Sequence, residues 1–385
     1  MNGLKKKGRF DLNKEVVPAC DIKHKDSIEG LACELIRMEA TTSERINASI
    51  GYCAEWLRQR GLTITLLENQ GLMSLVCIVN EEREGPTIIL NGHVDVVSAA
   101  SEDFSPRIEE RKLFGRGSYD MLGSVAAMMH AMVDLSKMDL LVKIMLCIVP
   151  DEERGGFDGT GFLVDQGYRG EIAICGEPTN YKIAVQAKGV LQLKMEVSGI
   201  AAHGSRPWLG ENAILKAMKY CEAIEAIEQI QKTNLFFTRP SFNLSKIEAG
   251  KGINQVPDQC TFHLDIRYLP GEEVSEIIEQ IQRAAPDANL EILAQGAPVL
   301  TDEGHPYVVQ LKQVTEHFLN RKIEFFGQDG TADTRFYANY GIPAIEFGPV
   351  GAGHHGPEEY VEIESLYSFK EILKLFAINL VKMEE

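Results

Sequence analysis

The sequence predicts an α/β fold with a smaller α+β unit inserted into it. Three observations carry the prediction: four short apolar runs that read as strands buried on both faces, a helix-length apolar stretch between the first two, and a switch to alternating apolar and polar residues before the fourth run appears.

Thr87-Ile88-Ile89-Leu90 is the first run, and Asn91-Gly92-His93-Val94-Asp95 follows it. Ser124 to Leu135 is the helix-length stretch. Val142 to Val149 is the second run and leads into Pro150-Asp151-Glu152-Glu153; Glu171 to Cys175 is the third and leads into Gly176-Glu177-Pro178. The fourth, Pro343 to Phe347, precedes a glycine-rich segment that ends in His354-His355-Gly356-Pro357-Glu358-Glu359-Tyr360. Acids and histidines therefore collect after strand ends, and the crevice outside the carboxyl ends of an open α/β sheet is where ligands bind. In the middle of the chain, Val190 to Val197 and Cys260 to Tyr268 alternate as half-buried strands do. Asn212 to Gln231 and Glu272 to Ala285 read as helices, the second with Val274, Ile277, Ile278 and Ile281 on one face. The order β, α, β, β, α fits a unit with one covered sheet face. The expected layout is a larger domain divided into residues 1–186 and 297–385 around an insert of 187–296.

The chain has 385 residues, more than the roughly 250 to 300 that one hydrophobic core serves, which also points to two domains. At 44% apolar and 25% charged residues it is neither disordered nor fibrous. Its 56 acidic and 39 basic side chains give a net charge of −17, the wrong sign for a nucleic-acid surface and the right one for multivalent cations. Eight cysteines stand with no close pair, several inside apolar runs, as buried free thiols of a reducing compartment do. The basic start MNGLKKKGRF runs into DLNKEVVPAC rather than an apolar stretch, so no signal peptide is read there. No run reaches the roughly 18 apolar residues of a membrane helix, and a cytoplasmic protein without membrane or nucleic-acid partners is expected.

On an extended segment residues i and i+2 point the same way, so in His93-Val94-Asp95 a carboxylate can orient the imidazole as a metal ligand. Three adjacent carboxylates at Asp151, Glu152 and Glu153 raise one another's pKa unless solvent or a cation separates them. Taken singly these have plainer readings: an exposed turn for the triplet, a helix N-cap for Asp120, a solvated loop for His354 and His355. Together they form a set. His93, Asp120, one glutamate of the triplet, Glu177 and one histidine of the pair supply two imidazoles and three carboxylates. If Asp120 bridges, each of two ions takes one histidine, one terminal glutamate and the shared aspartate, with water as fourth ligand, which suits four-coordinate zinc with an exchangeable position. Cobalt or manganese would accept the same nitrogen and oxygen donors.

The segments NGHVDVV, GRGSYDMLGS, PDEERGG, GEPT, AAHGSRPWLGENA, GINQVPD, DIRYLPG, GTADTRF and HHGPEEY, spread in order over nearly the whole chain, resemble those of the metal-dependent amidohydrolases and peptidases that include acetylornithine deacetylase, succinyl-diaminopimelate desuccinylase, aminoacylase and glutamate carboxypeptidase. The resemblance implies a zinc-peptidase-like catalytic domain, a mixed sheet flanked by helices, with a ferredoxin-like lid and dimerisation insert and a homodimeric assembly. By the same resemblance His93, Asp120 and Glu177 hold one ion and Asp120, Glu153 and His355 the other; His355 fits the family's His-x-Pro-acid-Glu pattern. Asp95 would orient His93, Glu152 would be the general base, and His203 of AAHGSRP would reach an active site, commonly the dimer partner's, to stabilise the oxyanion. Asn254, Arg267, Asp333 and Arg335 resemble positions that contact substrate or the dimer partner. Leu122 and Ser124 depart from the usual Lys and Gly after the bridging aspartate, and Pro150 precedes the acidic triplet.

The implied reaction is amide hydrolysis, with an N-acetyl or N-succinyl amino acid or diamino acid as the expected substrate. A metallo-dipeptidase or carboxypeptidase, which would use the same catalytic set on a short peptide, is the alternative, and a noncatalytic metal-binding scaffold is a remote one. No Gly-x-Ser-x-Gly elbow or phosphate-cradling Gly-x-x-x-x-Gly-Lys is present.

Overall fold

Lys143–Val149, Thr87–His93, Ile172–Cys175 and Ala344–Glu346 lie side by side as a parallel block, the middle of a nine-stranded mixed sheet. The computed structural model describes residues 26–239 and 241–380. The basic start and Cys20, one of the eight cysteines, lie outside the described residues. Each apolar run buries alternate residues on opposite faces. Ile88, Leu90, Ile144, Leu146, Ile172 and Ile174 pack into one cluster with helices Ile28–Arg37, Gly123–Leu135 and Ile363–Leu380, whereas Ile89, Met145, Cys147, Ala173 and Cys175 pack on the other face against Phe336 and Tyr337. Helices on both sides explain why these strands read as continuous apolar runs. The fit is close at Gly92, where a Cβ would come within 2.7 Å of the Met128 terminal methyl.

The first strand runs three residues past Leu90, so His93 is its last residue rather than part of the loop beyond. Residues 189–296 contribute a separate antiparallel sheet, in the order Ser241–Ala249, Gln259–Tyr268, Gly189–Ser198, Asn289–Gly296. With helices Ala213–Glu225 and Val274–Ala284 on one side this is β, α, β, β, α, β, one strand more than the sequence reading. Helix 212–231 is in fact two, Ala213–Glu225 and Glu228–Gln231. Ile227 turns extended between them, and Ile227 and Ile230 both enter the insert's core. Ser241–Ala249 was given no residues in the sequence reading because its alternation, Phe242 and Leu244 and then Ile247 and Ala249, slips phase at a bulge after Leu244.

A second small sheet matters for the site. Arg107–Glu109, Lys112–Phe114, Tyr360–Glu362 and Gly351–Ala352 pair antiparallel, with Tyr360 opposite Phe114. It brings GRGSYD beside HHGPEEY.

His130, on helix Gly123–Leu135, packs tilted against Trp56, with ring centroids 4.8 Å apart. Burial first, then the charges of Lys370 and Arg60, push its imidazole down to about 4, with Asp134 opposing. The unfolded imidazole takes its proton near pH 6.5, so stability is full above that pH and falls as pH drops from 6.5 towards 4, by at most about 3 kcal/mol. His130→Gln is expected to flatten this limb of the stability profile, measured by urea unfolding at each pH; an unchanged slope would remove His130 from it.

Candidate metal centre

His93 pairs with Val149 across the sheet, and the acidic triplet begins two residues beyond Val149. His93 Nδ1 meets the Asp95 carbonyl at 2.8 Å, while the nearer Asp95 carboxylate oxygen stands at 3.4 Å. The carboxylate instead accepts from the backbone N–H groups of Glu152 (3.1 Å) and Glu153 (3.0 Å). Asp95 thus fixes the ring through its carbonyl and the acidic turn through its side chain, a double role that the His-x-Asp spacing alone does not convey.

Asp120 occupies an irregular turn, Ser118–Leu122, entered at Gly117 with φ 80°. Leu122, not Asp120, caps the following helix, so the N-cap reading fails. The turn is gripped by Glu359. Its carboxylate accepts from the N–H groups of Gly117 (3.1 Å), Tyr119 (3.0 Å) and Asp120 (3.1 Å) and from Arg116 Nη1 (2.6 Å), while Arg116 Nη2 donates to the His355 carbonyl at 2.9 Å. One buried ion pair therefore ties the loop of Asp120 to the loop of His355.

Asp120 is the hub. Oδ1 lies 3.2 Å from His93 Nε2; Oδ2 lies 2.5 Å from His354 Nε2 and 3.3 Å from His355 Nε2, and His355 Nε2 also meets Glu153 Oε1 at 2.9 Å. Two donor clusters result, each with its atoms within 4.8 Å of one another: His93, Asp120 and Glu153, and Asp120, His354 and His355. Both contain Asp120, which is the arrangement a shared ligand requires. Glu177 and Glu152 line the same cavity of about 290 Å³, Glu177 without joining either cluster. The structure brings both histidines of the pair to Asp120, where the family pattern singled out His355.

The electrostatics fit cations. Burial would raise Asp120, but hydrogen bonds from His354, His355 and His93 hold it well below the usual carboxylate range. Burial pushes Glu177 well above that range and the Asp120 charge adds to it. Glu152 is raised likewise by burial, opposed by His93 and reinforced by Asp333, Asp120 and Glu153. His355 rises to about 9 through its hydrogen bond to Asp120. Carboxylates crowded into a dry site raise one another until a positive charge enters. Nitrogen and oxygen donors of this kind suit divalent first-row ions.

The remaining sequence-predicted residues fall elsewhere. His203 and Asn254 come together on the insert surface, where Ala202–His203 pairs with Gln255–Val256 and Gly204 N–H donates to the Asn254 carbonyl at 2.7 Å. Both are exposed and away from the cavity lining. Arg267 forks onto Asp265, two residues earlier on its own strand, at 2.8 and 3.1 Å. Arg335 packs over Phe336 and donates to the Gly155 carbonyl, outside the cavity lining. Asp333 is buried: its Oδ2 accepts from the Thr160 hydroxyl at 2.6 Å, and Thr160 Oγ1 in turn accepts from Asn91 Nδ2 at 2.9 Å. Glu359, Arg116, Thr160 and Glu346 went unread. For Glu359 the signal was a second acid directly before Tyr360; for Glu346 it was a charge inside an apolar run.

A profile of peptidase family M20/M25/M40 matches residues 89–379. The chain is 29% identical over 381 residues to a succinyl-diaminopimelate desuccinylase of Marinobacter nauticus, covering 91% of this chain and 98% of that one. It is 27% identical over 375 residues to the enzyme of that name from Rickettsia bellii, covering 90% and 94%. Among solved structures its fold is shared with an aminopeptidase from Bacillus cereus, at TM-score 0.78 and 19% identity over 93% of this chain and 99% of that one. It is also shared with a dinuclear metal-binding M20 peptidase from Bacillus subtilis, at TM-score 0.70 and 14% identity over 92% and 99%. With the profile spanning most of its length, the chain belongs to peptidase family M20/M25/M40 and is a metallo-hydrolase.

Proposed function

We propose that this protein deacylates an N-acyl amino acid or diamino acid, with an N-succinyl or N-acetyl group leaving as the carboxylate. The observation that carries this reading is that Asp120, Glu153, Glu177 and His355 line one cavity with Glu152, while buried His93 clusters with Asp120 and Glu153 at its edge. The name shared by the Marinobacter and Rickettsia relatives favours a succinylated diamino acid.

His93, Asp120 and Glu177 would hold one divalent ion and Asp120, Glu153 and His355 the other, zinc by its ligand set, with cobalt or manganese as substitutes. When bound, the ions supply Lewis acidity that polarises an amide carbonyl and eases the ionisation of water near neutral pH. A Glu152 carboxylate oxygen takes the proton of the attacking water and returns it to the nitrogen of the departing amine. Asp95 keeps the Glu152 and Glu153 backbone in place for that transfer, since its carboxylate holds both N–H groups.

The insert of 187–296 acts in this reading as lid and dimerisation unit. Leu215 and Met218 on its helix and Leu244 and Ile247 on its edge strand are exposed apolar residues that a second copy would cover. His203 would then serve the partner's cavity and steady the oxyanion, with Asn254 and Arg267 contacting substrate there; Asp333 and Arg335 would support the acidic turn from below. A monomer in sedimentation at micromolar concentration would count against this assembly. Cys53, Cys77, Cys147, Cys175, Cys221 and Cys260 are buried free thiols, which suits a reducing cytoplasm, and no described helix is long and apolar enough to cross a membrane.

The test is elemental analysis with activity before and after chelation, on N-succinyl amino acids, N-acetyl amino acids and dipeptides. Loss of activity on chelation and its return with zinc, with succinate or acetate released, is the expected result. Release of amino acids from dipeptides alone would replace the deacylase by a dipeptidase.

A further inference from the structure

Glu346 is a carboxyl that the hydrolysis above leaves unused. It is the last residue of strand Ala344–Glu346, paired beside Cys175 of the strand that leads to Glu177. Only 2% of it is exposed, yet it lines the same cavity as Asp120, Glu152 and Glu177. Gln328 Nε2 donates to its Oε2 at 3.2 Å, which fixes the carboxyl's orientation. Burying a carboxyl beside other acids is costly unless a partner offsets it. Burial, and after it the nearby Asp120 charge, push its pKa up to about 7. Gln328 gives it a neutral hydrogen bond, and no lysine or arginine lines the cavity to pair with its charge.

We propose that Glu346 recognises a protonated amino group of the substrate. This rests on the deacylase reading and narrows it: the preferred substrate carries a second, free amine in addition to the acylated one. A carboxylate held by Gln328 in a water-poor wall is a preorganised acceptor for an ammonium. Such a charge-assisted hydrogen bond discriminates against a methyl group of similar size by about tenfold or more in affinity.

Nα-acetyl-lysine and N-acetyl-norleucine form a matched pair, differing in ammonium against methyl at the chain end. The zinc-loaded wild-type protein is expected to favour the lysine compound at least tenfold in kcat/KM, through KM more than kcat. In Glu346→Gln, which keeps the side-chain shape, that ratio is expected to collapse towards one; Glu346→Asp should lower it partway and serves if the Gln variant does not fold. A wild-type ratio near one overturns the proposal, and so does an equal loss on both substrates in the variant, which is the mark of a merely structural role. Calorimetric binding of lysine against norleucine reads the same preference without turnover. If neither acyl substrate is cleaved while lysine still binds at least tenfold better and the variant loses that preference, the deacylase reading falls and the amine site stands. Cleavage together with equal binding of the two amino acids overturns the amine site alone.

Discussion

Glu152→Gln is expected to bind its metal normally and lose turnover by roughly a thousandfold. The amide keeps the volume of the carboxylate and the backbone N–H that Asp95 holds at 3.1 Å, so the acidic turn stays in place. What disappears is the oxygen that takes a proton from water and gives it to the amine. Because Glu152 belongs to neither donor cluster, metal content should not change. The readouts are kcat with a saturating substrate and metal content per chain after dialysis. A variant with near-normal kcat would remove Glu152 as the base; one that has lost metal would make it a ligand.

The largest effect on stability is expected at Glu359. Glu359→Ala leaves the Arg116 guanidinium buried and unpaired and strips three backbone N–H groups of their acceptor. Breaking a buried pair from one side costs about 3–5 kcal/mol. The loss should reach function through the metal, because the freed Gly117–Asp120 backbone carries the shared ligand and Arg116 also holds the His355 carbonyl. Denaturant unfolding and metal titration should both move, and Glu359→Gln should recover part of each through its remaining carbonyl. Unfolding that shifts while metal affinity stays constant would leave the pair a structural role alone.

The parallel block and its ligand-bearing ends were legible because two simple rules coincide there. Strands covered on both faces are apolar throughout, and donors placed just past their carboxyl ends must share a crevice. The small insert was legible from alternation in Gly189–Ser198 and Gln259–Tyr268, but not in Ser241–Ala249, where a bulge after Leu244 shifts the phase of the pattern. Arginines were the least readable residues. Arg267 finds its carboxylate two positions back on the same strand face, which a period-two reading of Asp265 and Arg267 contains, whereas Arg335 sits over both Phe336, next to it in sequence, and Phe157, far away. The grip of Glu359 was hidden for a deeper reason: most of its partners are backbone N–H groups about 240 positions earlier, and main-chain donors carry no sequence signature.

Everything proposed for the chemistry depends on Asp120 serving two cation positions at once. Anomalous diffraction from crystals grown with zinc tests this most directly. Two peaks are predicted, one on each side of the Asp120 carboxylate, the first within bonding distance of His93 and Glu177 and the second within bonding distance of Glu153 and His355. A single peak remote from Asp120, or none with zinc in excess, would contradict the account.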